Sequence, residues 1–216
     1  MVRDIDIGSP GVSTPPGTNY IGDVRKSWDF GTPTLEAGGN GSAVWKASPT
    51  ASDDHTISWT AHLSGGAQTS YNDYAKVIIP VNEMPFTNLK SVRLSPYYTA
   101  SSGGDMAVCV YMHDPDNPEQ NIELSHTPYT NVLAGYRDLN FPTEPGSSSW
   151  GWYGAVSDTP DTCPNDWDTS SYTWAQFQAD SVFKTWTIYR ISFDYGYVTG
   201  DMVLDGCYLH FSHLRP

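Results

Sequence analysis

Met106-Ala107-Val108-Cys109-Val110-Tyr111-Met112 alternates along its length, with Met106, Val108, Val110 and Met112 forming one apolar row at period two. That period puts the four side chains on one face of a β-strand; a helix would repeat them every three to four residues. Tyr111 and His113 then share the opposite face, as solvent-facing residues do. Asp114-Pro115-Asp116-Asn117-Pro118 follows as a cluster of turn residues and ends the strand.

The same period recurs on both sides. Ala43 to Lys46 is a first candidate strand. In His55 to His62 the residues Ile57, Trp59 and Ala61 fall on one face. In Tyr74 to Pro80 the alternating set is Ala75, Val77 and Ile79, and Pro80, with no N–H to donate, is expected to close the strand. Leu89 to Tyr98, Thr185 to Phe193 and Met202 to Phe211 complete the set. One helix is predicted over residues 174–182, because Thr173 and Gln176 have the spacing of a capping box. Residues 140–171 read as a long irregular segment, and residues 1–27, rich in Gly, Pro and Thr, as an extended N-terminal arm. Many strands, a short helix and two closing strands give an all-β fold. The expectation is a single jelly-roll (concanavalin-like) antiparallel β-sandwich over residues 28–216.

Composition narrows the function. The chain has 216 residues, 14 Tyr, 8 Trp and a formal net charge of −13. So large an aromatic content excludes a disordered chain. An acidic surface repels phosphate backbones, so nucleic acid is not an expected partner. No apolar run reaches the length of a membrane span. The opening residues lack the apolar stretch of a signal peptide, so the expected location is a virion or extracellular surface assembly reached after cytoplasmic synthesis. Cys109, Cys163 and Cys207 have no zinc spacing. Cys109 and Cys207 are expected as buried thiols, or as a disulfide if their strands are neighbours.

Three stretches carry a resemblance. Asp4-Ile5-Asp6-Ile7-Gly8-Ser9-Pro10 resembles the opening of small proteins of prokaryotic-virus and environmental origin. Tyr74 to Pro80 with Phe86-Thr87-Asn88-Leu89 resembles paired strands of a jelly-roll group. The tail, with Ile188-Tyr189-Arg190-Ile191, Tyr195-Gly196-Tyr197 and Val203-Leu204-Asp205-Gly206, is similar to that group's closing strands. The resemblance implies a jelly-roll sandwich of viral or surface origin. It supplies no catalytic residues to carry over.

The candidate site residues are aromatic. Trp150, Trp152, Tyr153, Trp167 and Tyr172 lie among small residues and suit either sugar stacking or a protein interface; the bland reading makes them an accessory core. Asp114, Asp116 and Asn117 could offer oxygens to Ca²⁺, against a plain reading as turn chemistry. Asp158, Asp161, Asp166 and Asp168 form a second such cluster. No other cofactor is implied. His210 and His213 have an odd spacing, which in a continuous strand puts them on opposite faces. Arg93, Tyr111 and His113 are the types used by polysaccharide lyases, but no hydrolase or phosphate motif is present. The leading expectation is a non-enzymatic structural or decoration protein of a virion, self-assembling or docking on capsid or surface proteins. The alternative is a carbohydrate-binding module with a Trp/Tyr platform for glycans, and the third reading is a polysaccharide-degrading enzyme.

Overall fold

A computed structural model describes residues 33–47, 59–89, 91–98, 106–127, 135–136, 139–141, 150–154, 172–196, 203–204 and 207–215. In chain order the strands are β1 (Thr34–Gly38), β2 (Ser42–Ala47), β3 (Trp59–Ser64), β4 (Gly66–Ala67), β5 (Tyr74–Pro85), β6 (Ser91–Tyr98) and β7 (Ala107–Asp114). They continue as β8 (Asn117–His126), β9 (Gly135–Tyr136), β10 (Leu139–Phe141), β11 (Gly151–Gly154), β12 (Thr187–Gly196), β13 (Val203–Leu204) and β14 (Cys207–Arg215). The helix α1 (Trp174–Ala179) precedes β12.

Two large antiparallel sheets make a β-sandwich. One runs β1-β5-β12-β7-β8-β11; the other runs β10-β6-β14-β3-β2, with β9 also on β6. The expected jelly-roll class is what the chain adopts. Period-two patterning explains the first sheet's inner face. Ile191 lies opposite Ile79 and Val110, and Phe193 opposite Val77 and Val108. All six are buried, as are Ala61 and Leu63 of β3, which packs across from β5 and β12. Each such side chain contributes about 1.5–3 kcal/mol by leaving water. The same apolar core extends around α1 through Phe86, Trp150, Trp152, Trp174, Phe177, Phe183 and Trp186.

The structure corrects several boundaries. Pro80 does not end its strand. The pairing with β12 jumps from Pro80–Arg190 to Met84–Ile188, so a bulge absorbs the missing N–H and β5 runs on to Pro85. The capping box is present, with the Gln176 amide donating to Thr173 Oγ1 at 3.2 Å and the Thr173 amide to Gln176 Oε1 at 2.7 Å. The helix stops at Ala179, before the expected 182. The Asp180 carboxylate accepts from the amides of Val182 (2.8 Å) and Phe183 (3.1 Å) and starts a separate 3₁₀ turn at Phe183–Thr185. The expected strand from Met202 to Phe211 is two strands, β13 and β14. Cys109 is a free, buried thiol in β7, and Cys207 belongs to β14 of the other sheet. The arm at residues 1–27 lies outside the described residues.

Candidate functional site

On β7 the apolar row faces the core, so Cys109, Tyr111 and His113 face away from it. Register supplies their neighbours. On one side Ser192, Arg190 and Thr187 of β12 lie beside them; on the other stand Ser125, Glu123 and Asn121 of β8. One strand further, Lys76 of β5 lies beside Asp194, and Glu36 of β1 beside Lys76. An outer sheet face is ordinarily wet. Here Tyr111 and His113 are each only 9% exposed, and Cys109, Ser125, Ser192 and Asp194 are also buried. The expectation that Tyr111 and His113 are plain solvent-facing residues is therefore corrected: the outer face carries its own packed layer.

Arginine and tyrosine build that layer. The Arg190 guanidinium carbon sits 3.6 Å from the centre of the Tyr111 ring and 5.9 Å from that of Tyr189. A cation on an aromatic face stabilises by about 0.5–2 kcal/mol. The two tyrosine rings are 6.3 Å apart. Burial pushes the Tyr111 hydroxyl far above its ordinary range, and that of Tyr189 upward too.

Some 13 Å along the strands, four residues at the usual rise, a second cluster closes the face. The Tyr74 hydroxyl donates to Glu36 Oε1 at 2.6 Å, and Lys76 Nζ lies 3.1 Å from the same oxygen. The Tyr74 hydrogen bond and the Lys76 charge hold the Glu36 carboxyl below its usual value. Between the clusters lies Asp194. The Ser192 hydroxyl donates to its Oδ1 at 2.6 Å, yet burial pushes its pKa up to about 6.

At the opposite end the sheet is irregular. Glu83 has φ 50°, the left-handed region, inside the β5 bulge. Its Oε2 accepts from His113 Nε2 at 2.7 Å and from Thr187 Oγ1 at 2.5 Å. Tyr189 is the extra residue of β12 where Ile188 and Arg190 face Met112 and Tyr111, and its ring meets His113 edge-on at 5.2 Å.

The arrangement suits holding a ligand better than moving a proton. A tyrosine base needs its hydroxyl pulled down toward neutrality, and both tyrosines here are pushed the other way. Arg93 belongs to β6 of the other sheet, apart from Tyr111 and His113, and Arg190 stands beside Tyr111.

The aromatic platform expected from sequence is placed differently. Trp150 is 1% exposed and Trp152 5%, so neither offers a free face. Trp150 stacks on His126 at 5.3 Å and touches Trp174 at 4.6 Å; Trp152 meets Phe183 edge-on. Both belong to the apolar core. Half-buried Tyr172 packs against it, its ring 6.0 Å from Phe177. Tyr153 of β11 pairs with Glu123 of β8. Trp167 lies outside the described residues, as do Asp158, Asp161, Asp166 and Asp168. At the β7–β8 turn the Asp114 carboxylate accepts the Asp116 amide at 2.9 Å, which is turn chemistry. Among the described residues, Asp114, Asp116 and Asn117 included, no three His, Cys, Asp or Glu groups gather around a metal position. His210 and His213 pair with Ser95 and Arg93 across a β14 bulge, so the premise of a continuous strand fails there.

Sequence reading passed over Glu36, Tyr74, Lys76, Glu83, Tyr189, Arg190 and Asp194. A signal was there: Arg190-x-Ser192-x-Asp194, Tyr111-x-His113 and Tyr74-x-Lys76 put aromatic and charged groups on the polar side of three strands.

Fold and face together define a β-sandwich with a built aromatic and charged outer surface. No protein-family model matches the chain, and no curated protein does. Among solved structures it is similar to a family 11 carbohydrate-binding module from Clostridium thermocellum, in complex with a β-1,3-1,4-mixed-linked tetrasaccharide. The identity is 10% over 89% of this chain and 91% of that one, with a TM-score of 0.49. A family 11 module of the cellulosomal cellulase Lic26A-Cel5E of the same organism gives 10%, 93%, 95% and 0.46. A structure of carbohydrate-binding modules from the β-sandwich superfamily gives 8%, 85%, 56% and 0.43. The expectation of a virion decoration protein docking on capsid proteins is withdrawn: neither the described residues nor these likenesses indicate that role. No helix among the described residues is long and apolar enough to cross a membrane.

Proposed function

We propose that the chain is a carbohydrate-binding module that holds a glycan on the outer face of the β1-β5-β12-β7-β8-β11 sheet. The observation carrying this reading is Arg190 stacked on Tyr111 beside Tyr189, all on the side of the sheet away from the core. A sugar ring has apolar C–H faces that lie on aromatic rings and a rim of hydroxyls that pair with charged groups. Tyr74 and Tyr189 are half-buried and present part of their rings; Glu36, Lys76, Glu123 and Arg190 supply donors and acceptors. Buried Ser192, Asp194 and Cys109 form a packed floor that limits side-chain motion, and such preorganisation lowers the cost of binding.

The test is retention of the purified chain on immobilised neutral glycans, including β-1,3-1,4-mixed-linked glucan, cellulose, mannan and xylan. Wild type is expected to be retarded on at least one. Arg190→Ala and Tyr74→Ala should lose the retardation while melting within a few degrees of wild type. A wild type that passes every matrix unretarded would sink the reading. So would release of new reducing or unsaturated ends, which would make the face catalytic.

A further inference from the structure

Two bulges on neighbouring strands meet at one end of the face. A bulge re-aims side chains, and bulges gather beside functional sites. In β5 the bulge holds Glu83 at φ 50°, a conformation that disfavours a side chain other than glycine's. In β12 the bulge turns out Tyr189. Glycine at position 83 would remove the strain, so a glutamate in that backbone conformation points to a use for its carboxylate.

Only one oxygen of that carboxylate is engaged among the contacts described. Oε2 takes both the His113 and the Thr187 hydrogen bonds. The Glu83 side chain is 52% exposed against 11% for His113, so the carboxylate is fixed from below and open from above. The Tyr189 ring stands edge-on to His113, and the Arg190 guanidinium lies 5.9 Å from the Tyr189 ring centre.

We propose that Glu83 and Tyr189 form an end subsite of the glycan face, where Glu83 takes adjacent sugar hydroxyls and Tyr189 flanks the ring. The inference rests on the carbohydrate-binding reading and adds a ligand class to it. The described partners of Glu83, His113 and Thr187, are donors, and among the described residues no three His, Cys, Asp or Glu groups gather around a metal position, which suits hydroxyls and not a cation that wants several oxygens. Among the described residues named on this face, Glu36, Glu83, Glu123 and Asp194 outnumber Lys76 and Arg190, and Lys76 already pairs with Glu36. An acidic glycan is repelled there, so the ligand is a neutral chain with free neighbouring hydroxyls.

The experiment titrates wild type, Glu83→Gln, Glu83→Gly and Tyr189→Ala by calorimetry. The probes are cellotetraose, mixed-linked β-1,3-1,4 tetrasaccharide, mannotetraose and xylotetraose, with tetragalacturonate as the acidic counterpart. Wild type is expected to bind at least one neutral tetrasaccharide and to bind tetragalacturonate more weakly. Glu83→Gly should lose about tenfold or more in affinity for that neutral probe, the scale of a charge-assisted hydrogen bond. It should also melt no lower than wild type, since glycine accepts the left-handed backbone. A purely structural Glu83 would give a lower melting point and unchanged affinity. Glu83→Gln and Glu83→Gly binding the neutral probe as wild type does would overturn the subsite and leave the wider reading standing. Tighter binding of tetragalacturonate than of every neutral probe would overturn the ligand class. A wild type that binds none of the five overturns the carbohydrate-binding reading itself.

Discussion

Asp194 and Asp73 are two buried aspartates pulled in opposite directions, and each carries a pH signature. Asp194 has one hydrogen bond from Ser192, and burial dominates, so its pKa rises from 3.8 to about 6. The folded protein then holds the proton more tightly than the unfolded chain. The stability this contributes is complete below about pH 4 and is lost as pH rises through about 6. At neutral pH the ionised group costs as much as about 3 kcal/mol. Asp194→Asn should therefore unfold at higher denaturant concentration than wild type at pH 7, with the gap closing by pH 4; an equal gap at both would show the carboxyl is not so buried. Asp73 is the reverse. It accepts from the amides of Asn40 (2.8 Å), Thr69 (2.7 Å) and Ser70 (2.7 Å) and from Thr69 Oγ1 (2.9 Å). The Asn40 bond leads in drawing its pKa down to about 2, against the pull of burial. Its contribution is present above about pH 4 and lost as pH falls toward 2. Asp73→Asn should weaken the fold at pH 7 and differ less from wild type in acid, read from melting curves across that range. Neither role was legible in the sequence. Asp73 reaches a partner 33 residues away, and Asp194 is defined by what surrounds it on two other strands.

At the scale of elements, signals closed within a few residues were readable and those spread over two strands were not. The capping box needs only Thr173 and Gln176, and the helix starts there. Thr173→Ala should destabilise by about 1 kcal/mol, seen as a lower midpoint of chemical unfolding; no loss would mean the cap is idle. α1 ends short of the expected residue 182 because Asp180, in the last turn of the expected helix, accepts the amides of Val182 and Phe183. The β5 bulge was invisible for a related reason. Pro80 is a good stop signal by itself, and only the register against β12 lets the chain continue past it. The bulge therefore lengthens β5 and delivers Glu83 to the outer face. Trp150 and Trp152 fall in the stretch expected to be irregular, yet Trp152 lies on β11 and Trp150 bridges Tyr172. Gln178 ties α1 to the turn at 86–88 through the carbonyls of Phe86 (2.9 Å) and Leu89 (3.0 Å). The aromatic cluster thus sits on a braced corner.

For the whole molecule, alternation identifies which side of a strand meets the core and stays silent on what the other side does. The inner face of the first sheet was legible for that reason, from Val108, Val110, Val77 and Ile79. The outer face was not, because Tyr111, Arg190, Lys76 and Glu36 come from four strands whose order only the fold supplies. The formal charge of −13 gives a last discriminating measurement. A basic protein docked on this surface would be held by long-range attraction, which salt screens over a Debye length of about 10 Å at 0.1 M. A neutral glycan held by ring faces and short hydrogen bonds feels no such attraction. Its affinity should change less than about threefold between low and high salt, measured by calorimetry on the neutral glycan that wild type retains. A steep fall with salt would mean that the outer face recognises charge. The tyrosines would then be scaffolding for Lys76 and Arg190, and the ligand would have to be sought among acidic molecules after all.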